Sequence, residues 1–293
     1  MVPGAANAAP QIKSVVPVES LSTIQARGMR GLMESRAAAE LSKVLTADDA
    51  AMCLGLVVND AGTYDVATKT GGLDGSIVLE EELSRPENKV FKPIVAKLTT
   101  AKKAIDEESI KAEQGPISWA DLLVLAAKTS IQMSWRQIKL GKAKDEASAG
   151  ILTSAYGTNW SVRIGRVDSM TPAPAGRLLS PDPSAEEVQS FFNALGNKNV
   201  GESGPFTPKG PFSEKYSFLI WTAAQPDPEK AEEKLATLPV YAEWKKDFDR
   251  SRKTVTRNDY EVDFVETFDK LVNLGSTFDN LAYLKPIEVN MKI

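Results

Sequence analysis

Near neutral pH most proton transfer and metal binding in proteins runs through imidazole, and this chain of 293 residues contains no histidine. That removes the side chain best suited to passing protons at pH 7 and the commonest metal ligand. What remains is sparse. Cys53, the single cysteine, together with Met52 and Met133, offers sulfur to iron or another soft metal, and a tyrosine offers phenolate. Cys53 lies in the apolar run Met52-Cys-Leu-Gly-Leu-Val-Val58, where a lone thiol reads as inert core, and both methionines read as packing. Thr68-Lys-Thr-Gly-Gly72 looks superficially like a phosphate-gripping loop, but it lacks both the Walker spacing and a preceding strand, so a structural turn is the expectation. Asn59 and Asn88 carry no titratable nitrogen. Two basic runs, Lys139, Lys142 and Lys144, and Lys245, Lys246, Arg250, Arg252 and Lys253, either face solvent or touch an acidic membrane surface or a partner. With no group of ordinary pKa titrating between pH 5 and 7, the charge is expected to stay nearly constant across that window.

The elements that must position these residues read as helices. Leu21 to Val44 has the apolar spacing of one or two helices, and Thr46 with Asp49 has the form of a capping box opening the run that carries Cys53 and Asn59. Ser118 with Asp121 opens a second apolar helix, Ser184 with Glu187 a third, and Asn258 with Glu261 a last long one that Gly275 ends. Gly141 to Gly150 reads as a solvated loop or short polar helix, and Thr171 to Pro183, with prolines at 172, 174, 181 and 183, as a surface connector. Residues 1–19 read as an extended Ala/Pro/Val-rich arm and 20–293 as one helical domain. Met1 to Pro10 lacks the charged and apolar regions of a signal peptide. No run of about 18 apolar residues exists to span a bilayer. A net charge of −4 with 42% apolar residues suits a globular chain and argues against nucleic acid as partner.

Leu54-Gly-Leu-Val-Val-Asn-Asp-Ala-Gly-Thr-Tyr-Asp65 resembles the peroxide-cleaving helix of class I plant-type haem peroxidases, the ascorbate peroxidases, which runs Leu-Arg-Leu-Ala-Trp-His-(Asp/Ser)-Ala-Gly-Thr-(Tyr/Phe)-Asp. The resemblance extends through Thr68 to Gly72, Gly75-Ser-Ile77, Glu82 to Asn88, Ile117-Ser-Trp-Ala-Asp-Leu122, Val162 to Asp168 and Pro174 to Leu178, and covers about Leu21 to Phe278. It implies a mainly α fold of two helical lobes. Gly55 stands where the family has arginine, Val58 where it has tryptophan, and Asn59 where it has the acid–base histidine. Asn88 is retained where the family's asparagine orients that histidine. The proximal histidine ought to follow the helix Ser184 to Leu195, but Gly196 to Pro211 is a Gly/Pro-rich stretch without helical period, so the proximal helix region is expected to be missing, with the family's cation loop and its ascorbate-gripping arginine.

Asn59 cannot shuttle a proton and Gly55 offers no donor to a departing oxygen, a contribution of roughly two to three decades in rate. The chain is therefore identified as similar to the degenerate, ascorbate-peroxidase-like members of the family found in the chloroplast thylakoid lumen. That resemblance implies no haem, no metal, no catalytic residue and a peripheral association with photosystem II or another thylakoid membrane complex. Two alternatives stand beside it: a haem-dependent peroxidase with Cys53, a tyrosine or a methionine as iron ligand, and a binding module for a small apolar ligand. Either Asn59 and Asn88 hydrogen-bond across the emptied pocket, or a buried amide goes unpaired at a cost of roughly 1–3 kcal/mol. Trp119, Trp160, Phe206, Phe212 or Trp221 is expected to fill part of that space.

Overall fold

In the computed structural model, which describes residues 11–154, 160–197, 214–254 and 257–292, the chain is helical with one short two-stranded ribbon. The helices are α1 (Thr23–Val44), α2 (Ala50–Gly62), α3 (Glu80–Leu83), α4 (Lys92–Lys111), α5 (Trp119–Lys142), α6 (Glu146–Ser154), α7 (Ala185–Phe192), α8 (Glu214–Ala223), α9 (Pro228–Leu235), α10 (Pro239–Lys253) and α11 (Asn258–Val272). One lobe packs α1 on α4 and α5; the other gathers α7, α9, α10 and α11 around α8. The seam is α2, which touches α5 on one side and α8 and α11 on the other. Its near-continuous apolar sequence follows from that position, since a helix buried on most sides has no polar face to present. The expected two-lobed helical architecture is what is found.

Chain starts are marked as the sequence indicated. Thr46 and Asp49 form a reciprocal capping box on the turn leading into α2, and Ser184 and Glu187 form one on α7. A box not anticipated, Ser22 with Gln25, opens α1, which is a single helix. Helix α11 begins at Asn258 as expected; the residue before it, Arg257, is left-handed at φ 52° and makes no side-chain cap, and Glu261 is fully buried. The segment 141–150 contains the start of the short helix α6.

The described part of the expected N-terminal arm is not free. Gln11–Val16 forms strand β1, which pairs antiparallel with β2, Ile287–Lys292, in the register Gln11 to Lys292 through Val16 to Ile287. Pairing gives an extended segment with too little apolar surface of its own a partner for its backbone groups. The arm reading rested on the lack of helical period, and a lone segment cannot reveal a strand partner about 275 residues away.

A single carboxylate ties the core together behind α2. Asp121 accepts from Gly165 N (2.6 Å), Arg166 N (3.1 Å), Arg166 Nη1 (2.9 Å) and the Tyr283 hydroxyl (2.8 Å). Both Asp121 and Arg166 are fully buried, a state tolerable only because every charged group has partners. Asp168 in turn accepts from the first amides of α5, Trp119 N and Ala120 N. The Ile117 to Leu122 and Val162 to Asp168 segments are thus two halves of one brace.

Candidate functional site

Met52, Gly55, Val58 and Asn59 recur on α2 at intervals of three, three and one residues, which places them on one face. They floor a cleft of about 610 Å³ whose walls come from Pro86 to Phe91, Leu179 to Pro183, Phe191 and the Trp221 to Pro226 end of α8. Cys53 faces the other way, into α5 beside Ser130, and burial pushes its thiol up to about 12. No cysteine or tyrosine lines the cleft among the described residues; Met52 does, and Met133 does not.

Position 55 is closed. A Cβ built on Gly55 would lie 2.7 and 2.9 Å from Cε1 and Cζ of Phe91, a buried ring whose edge abuts the helix at this position. A side chain longer than hydrogen cannot leave the helix here unless that ring moves. The filler is therefore Phe91, which the sequence reading did not name. Of the aromatics it did name, Trp221 lines the cleft, whereas Trp119 lies beneath Lys102 and Trp160 packs on Trp135 and Phe268, both away from it. Phe206 and Phe212 lie outside the described residues. Phe91 was findable: it sits three residues after Asn88, already assigned to the pocket. The proline-rich stretch 171–183 is likewise more than a connector, since Leu179, Pro181 and Pro183 form a wall and the buried Ala173 donates its amide to Glu82 Oε2 at 2.7 Å.

Asn59 and Asn88 do meet. Asn88 Nδ2 donates to the Glu82 carbonyl at 3.1 Å, so its Oδ1 turns to Asn59, whose Nδ2 donates to it at 2.9 Å and to the Glu87 carbonyl at 3.4 Å. That relay of donors and acceptors fixes both amides. It leaves Asn59 Oδ1 with no donor among the described residues, on a side chain that lines the cleft.

Below this face lie buried carboxyl groups. Asp60 accepts from Asp74 N, Gly75 N and Ile77 N, yet complete burial and the neighbouring Asp74 charge hold it well above the usual carboxylate range. Burial also raises Glu82, whose Oε1 has no hydrogen-bond partner within 3.5 Å among the described residues, and Asp168 and Glu261. The charge constancy expected from the missing histidines concerned groups of ordinary pKa, and these carboxyls are not such groups. Burial raises all four above their ordinary range.

The Thr68 to Gly72 segment is the structural turn expected. Its amides serve the protein itself: Ala67 N and Thr68 N donate to Asp65 Oδ1, and Gly72 N to Thr63 Oγ1. Arg177 clamps it through the carbonyls of Thr63 and Thr70. The positive φ of Gly72 lets its backbone lie against Gly275, where a Cβ would meet the Leu274 carbonyl at 2.5 Å.

The basic runs are largely spoken for. Lys139 is buried and pairs with Glu261 at 2.6 Å, and Lys142 donates to the carbonyls of Arg252 and Thr254. Arg252 makes a two-pronged pair with Glu232 and reaches Asp249, Lys245 pairs with Asp249, and Arg250 with Asp247. Only Lys144, Lys246 and Lys253 remain exposed with no partner among the described residues. Intrahelical i,i+3 and i,i+4 acids neutralise what looked like a basic surface.

The sequence model of the family described as Peroxidase matches residues 34–199. The chain is 39% identical over 240 residues to the thylakoid lumenal 29 kDa protein, chloroplastic, of Solanum lycopersicum, covering 80% of this chain and 64% of that protein. It is 34% identical over 242 residues to the protein of the same name from Arabidopsis thaliana, with the same coverage of 80% and 64%. The chain thus spans about two thirds or slightly less of these curated relatives, at 64%. It is 32% identical over 157 residues to the putative L-ascorbate peroxidase 6 of Arabidopsis thaliana, 54% of this chain and 39% of that one. The crystal structure of the TL29 protein from Arabidopsis thaliana superposes with a TM-score of 0.77 at 32% identity, covering 88% of this chain and 99% of that one. Both lumenal names agree with the chloroplast thylakoid-lumen location that the resemblance implied.

Proposed function

The chain belongs to the peroxidase family, and from that premise we propose that it is a member without catalysis: a haem-free protein of the thylakoid lumen that acts by binding, associated at the membrane surface with photosystem II or another thylakoid complex. The observation that carries this reading is the Phe91 ring against Gly55, 2.7 Å from where a side chain would begin. The position on this helix that in the family stabilises charge on a breaking O–O bond has neither a charged group nor space for a side chain.

The haem that the family implies does not fit the residues present. There is no imidazole on either side, Cys53 turns its thiol into α5, and α8 packs directly on α2 at the cleft. Asn59 keeps the hydrogen bond to Asn88 that a histidine would make but has no nitrogen to protonate. The scaffold of the old site is therefore kept as structure. No helix among the described residues is long and apolar enough to cross a membrane, which fits peripheral attachment.

Titrating the purified protein with haemin and following the Soret region tests the first part. The expected result is no saturable band and no peroxide-dependent oxidation of ascorbate above that of free haemin. Because Met52 lines the cleft, a haem enzyme with a thioether ligand is the competing reading; a one-to-one band and turnover, both lost in Met52→Leu, would establish it instead. Cross-linking the protein to isolated thylakoid membranes tests the second part, and recovery of no photosystem II subunit would reject that partner.

A further inference from the structure

We propose that the cleft over α2 is a binding site for a neutral aromatic ligand carrying one O–H or N–H donor, held by Asn59 Oδ1. The inference rests on the haem-free reading and goes beyond it by naming what the vacated face recognises.

Three observations meet here. The first is size: about 610 Å³ lies within the range of roughly 300–1,000 Å³ typical of small-molecule sites. The second is the lining. Phe91, Phe191 and Trp221 offer ring surfaces, with Val58, Leu179 and Met52 between them, and the charged residues Glu87 and Lys89 are of opposite sign. Such a lining favours a neutral ring system, because burying a charge among these groups without a partner is costly.

The third observation sets polarity. The Glu82 carbonyl accepts from Asn88 Nδ2, so Asn88 must present its Oδ1, and Asn59 must answer with its Nδ2. With Nδ2 also directed to the Glu87 carbonyl, the Asn59 amide has only its Oδ1 left to offer. A polar atom in an apolar cleft seeks a partner, and this one accepts only donors. The site therefore prefers a phenol to its ether, a hydroquinone to its quinone, or a secondary amine to its N-methyl derivative. The same chemistry in the family's helix would be read by an imidazole; here it is a fixed, uncharged acceptor that holds and does not react.

The test uses two fluorescent probes differing by one methyl group, N-phenyl-1-naphthylamine and its N-methyl derivative, titrated into the full chain. The expected result is one probe bound per chain, with the N–H form favoured by roughly two- to tenfold, the range a single neutral hydrogen bond supports. Val58→Trp and Ala224→Phe, which fill the cleft from α2 and from the turn after α8, should each abolish binding while circular dichroism and unfolding midpoint report the fold. Asn59→Leu should equalise the two probes, and Asn59→His, which can donate to Asn88 and still accept, should restore the preference. No binding, binding that survives both filled variants, or equal affinity of the two probes for the unaltered chain would overturn the proposal. A Soret band with haemin would instead sink the haem-free reading, so the two failures are distinguishable.

Discussion

Gly55 offers the sharpest test, because the ordinary rule and the local geometry predict opposite signs. Replacing glycine by alanine inside a helix normally stabilises by about 1 kcal/mol. Here the new methyl would start 2.7 and 2.9 Å from two carbons of the Phe91 ring, whereas relaxed carbon contacts lie at about 3.5–4.0 Å. Phe91 cannot swing freely: it is buried, and it ends the short turn Lys89–Phe91 that leads into α4. Overpacking of this kind costs about 1–3 kcal/mol, so Gly55→Ala should come out between about neutral and 2 kcal/mol destabilising once the helix gain of about 1 kcal/mol is subtracted. Phe91→Leu removes the ring edge, and in that background the same substitution should stabilise, by up to about 1 kcal/mol. A double-mutant cycle from urea midpoints at constant m-value should therefore show a coupling of about 1–3 kcal/mol. If Gly55→Ala stabilises the unaltered chain as much as the Phe91→Leu variant, the ring does not close position 55 and the main support for lost chemistry fails.

Three further outcomes follow from buried groups. Lys139→Met should cost about 3–5 kcal/mol by stranding Glu261, and adding Glu261→Leu should recover most of it; a single variant that unfolds at the wild-type midpoint refutes the buried pair. Stability should fall as pH rises above the ordinary carboxylate range. Asp60, Glu82, Asp168 and Glu261 are raised in the folded chain, which then holds more protons than the unfolded one, so their penalty grows as pH rises through the folded pKa values. The depressed carboxyls, Asp49 and Asp249 among them, stay ionised in both states there and lose their contribution only at lower pH. Glu82→Gln should flatten the slope, since its environment includes Asp60 and Asp74 against only Arg85, and an unchanged profile would discount it. Finally, Cys53 should react with a disulfide reagent at the rate of unfolding and no faster; rapid labelling of the native chain would contradict its placement against α5.

What the sequence made legible was set by local pattern. The helices and the caps at Thr46 and Ser184 come from spacing within one or two turns of helix, whereas the two lobes and the pocket positions Gly55, Val58 and Asn59 on α2 came from the resemblance to the peroxidases. The Asn59 to Asn88 contact was readable as an alternative because a buried amide must find a partner. Long-range facts were not readable. Lys139 looked like part of a basic run, and only its meeting with Glu261, 122 residues on, makes it a core residue. Phe91 was hidden for another reason: a missing side chain at Gly55 signals that something fills the gap, but not which ring does so. The strand at Gln11–Val16 needed its partner from the far end of the chain.

That ribbon has a consequence for handling the protein. Two strands alone are marginal in water, so each strand of the ribbon depends on the other staying in place. Deleting β2, Ile287–Lys292, would leave β1 with an unpaired edge and invite self-association. Gln11–Val16 and Ile287–Lys292 behave as one latch, and removing either strand opens both.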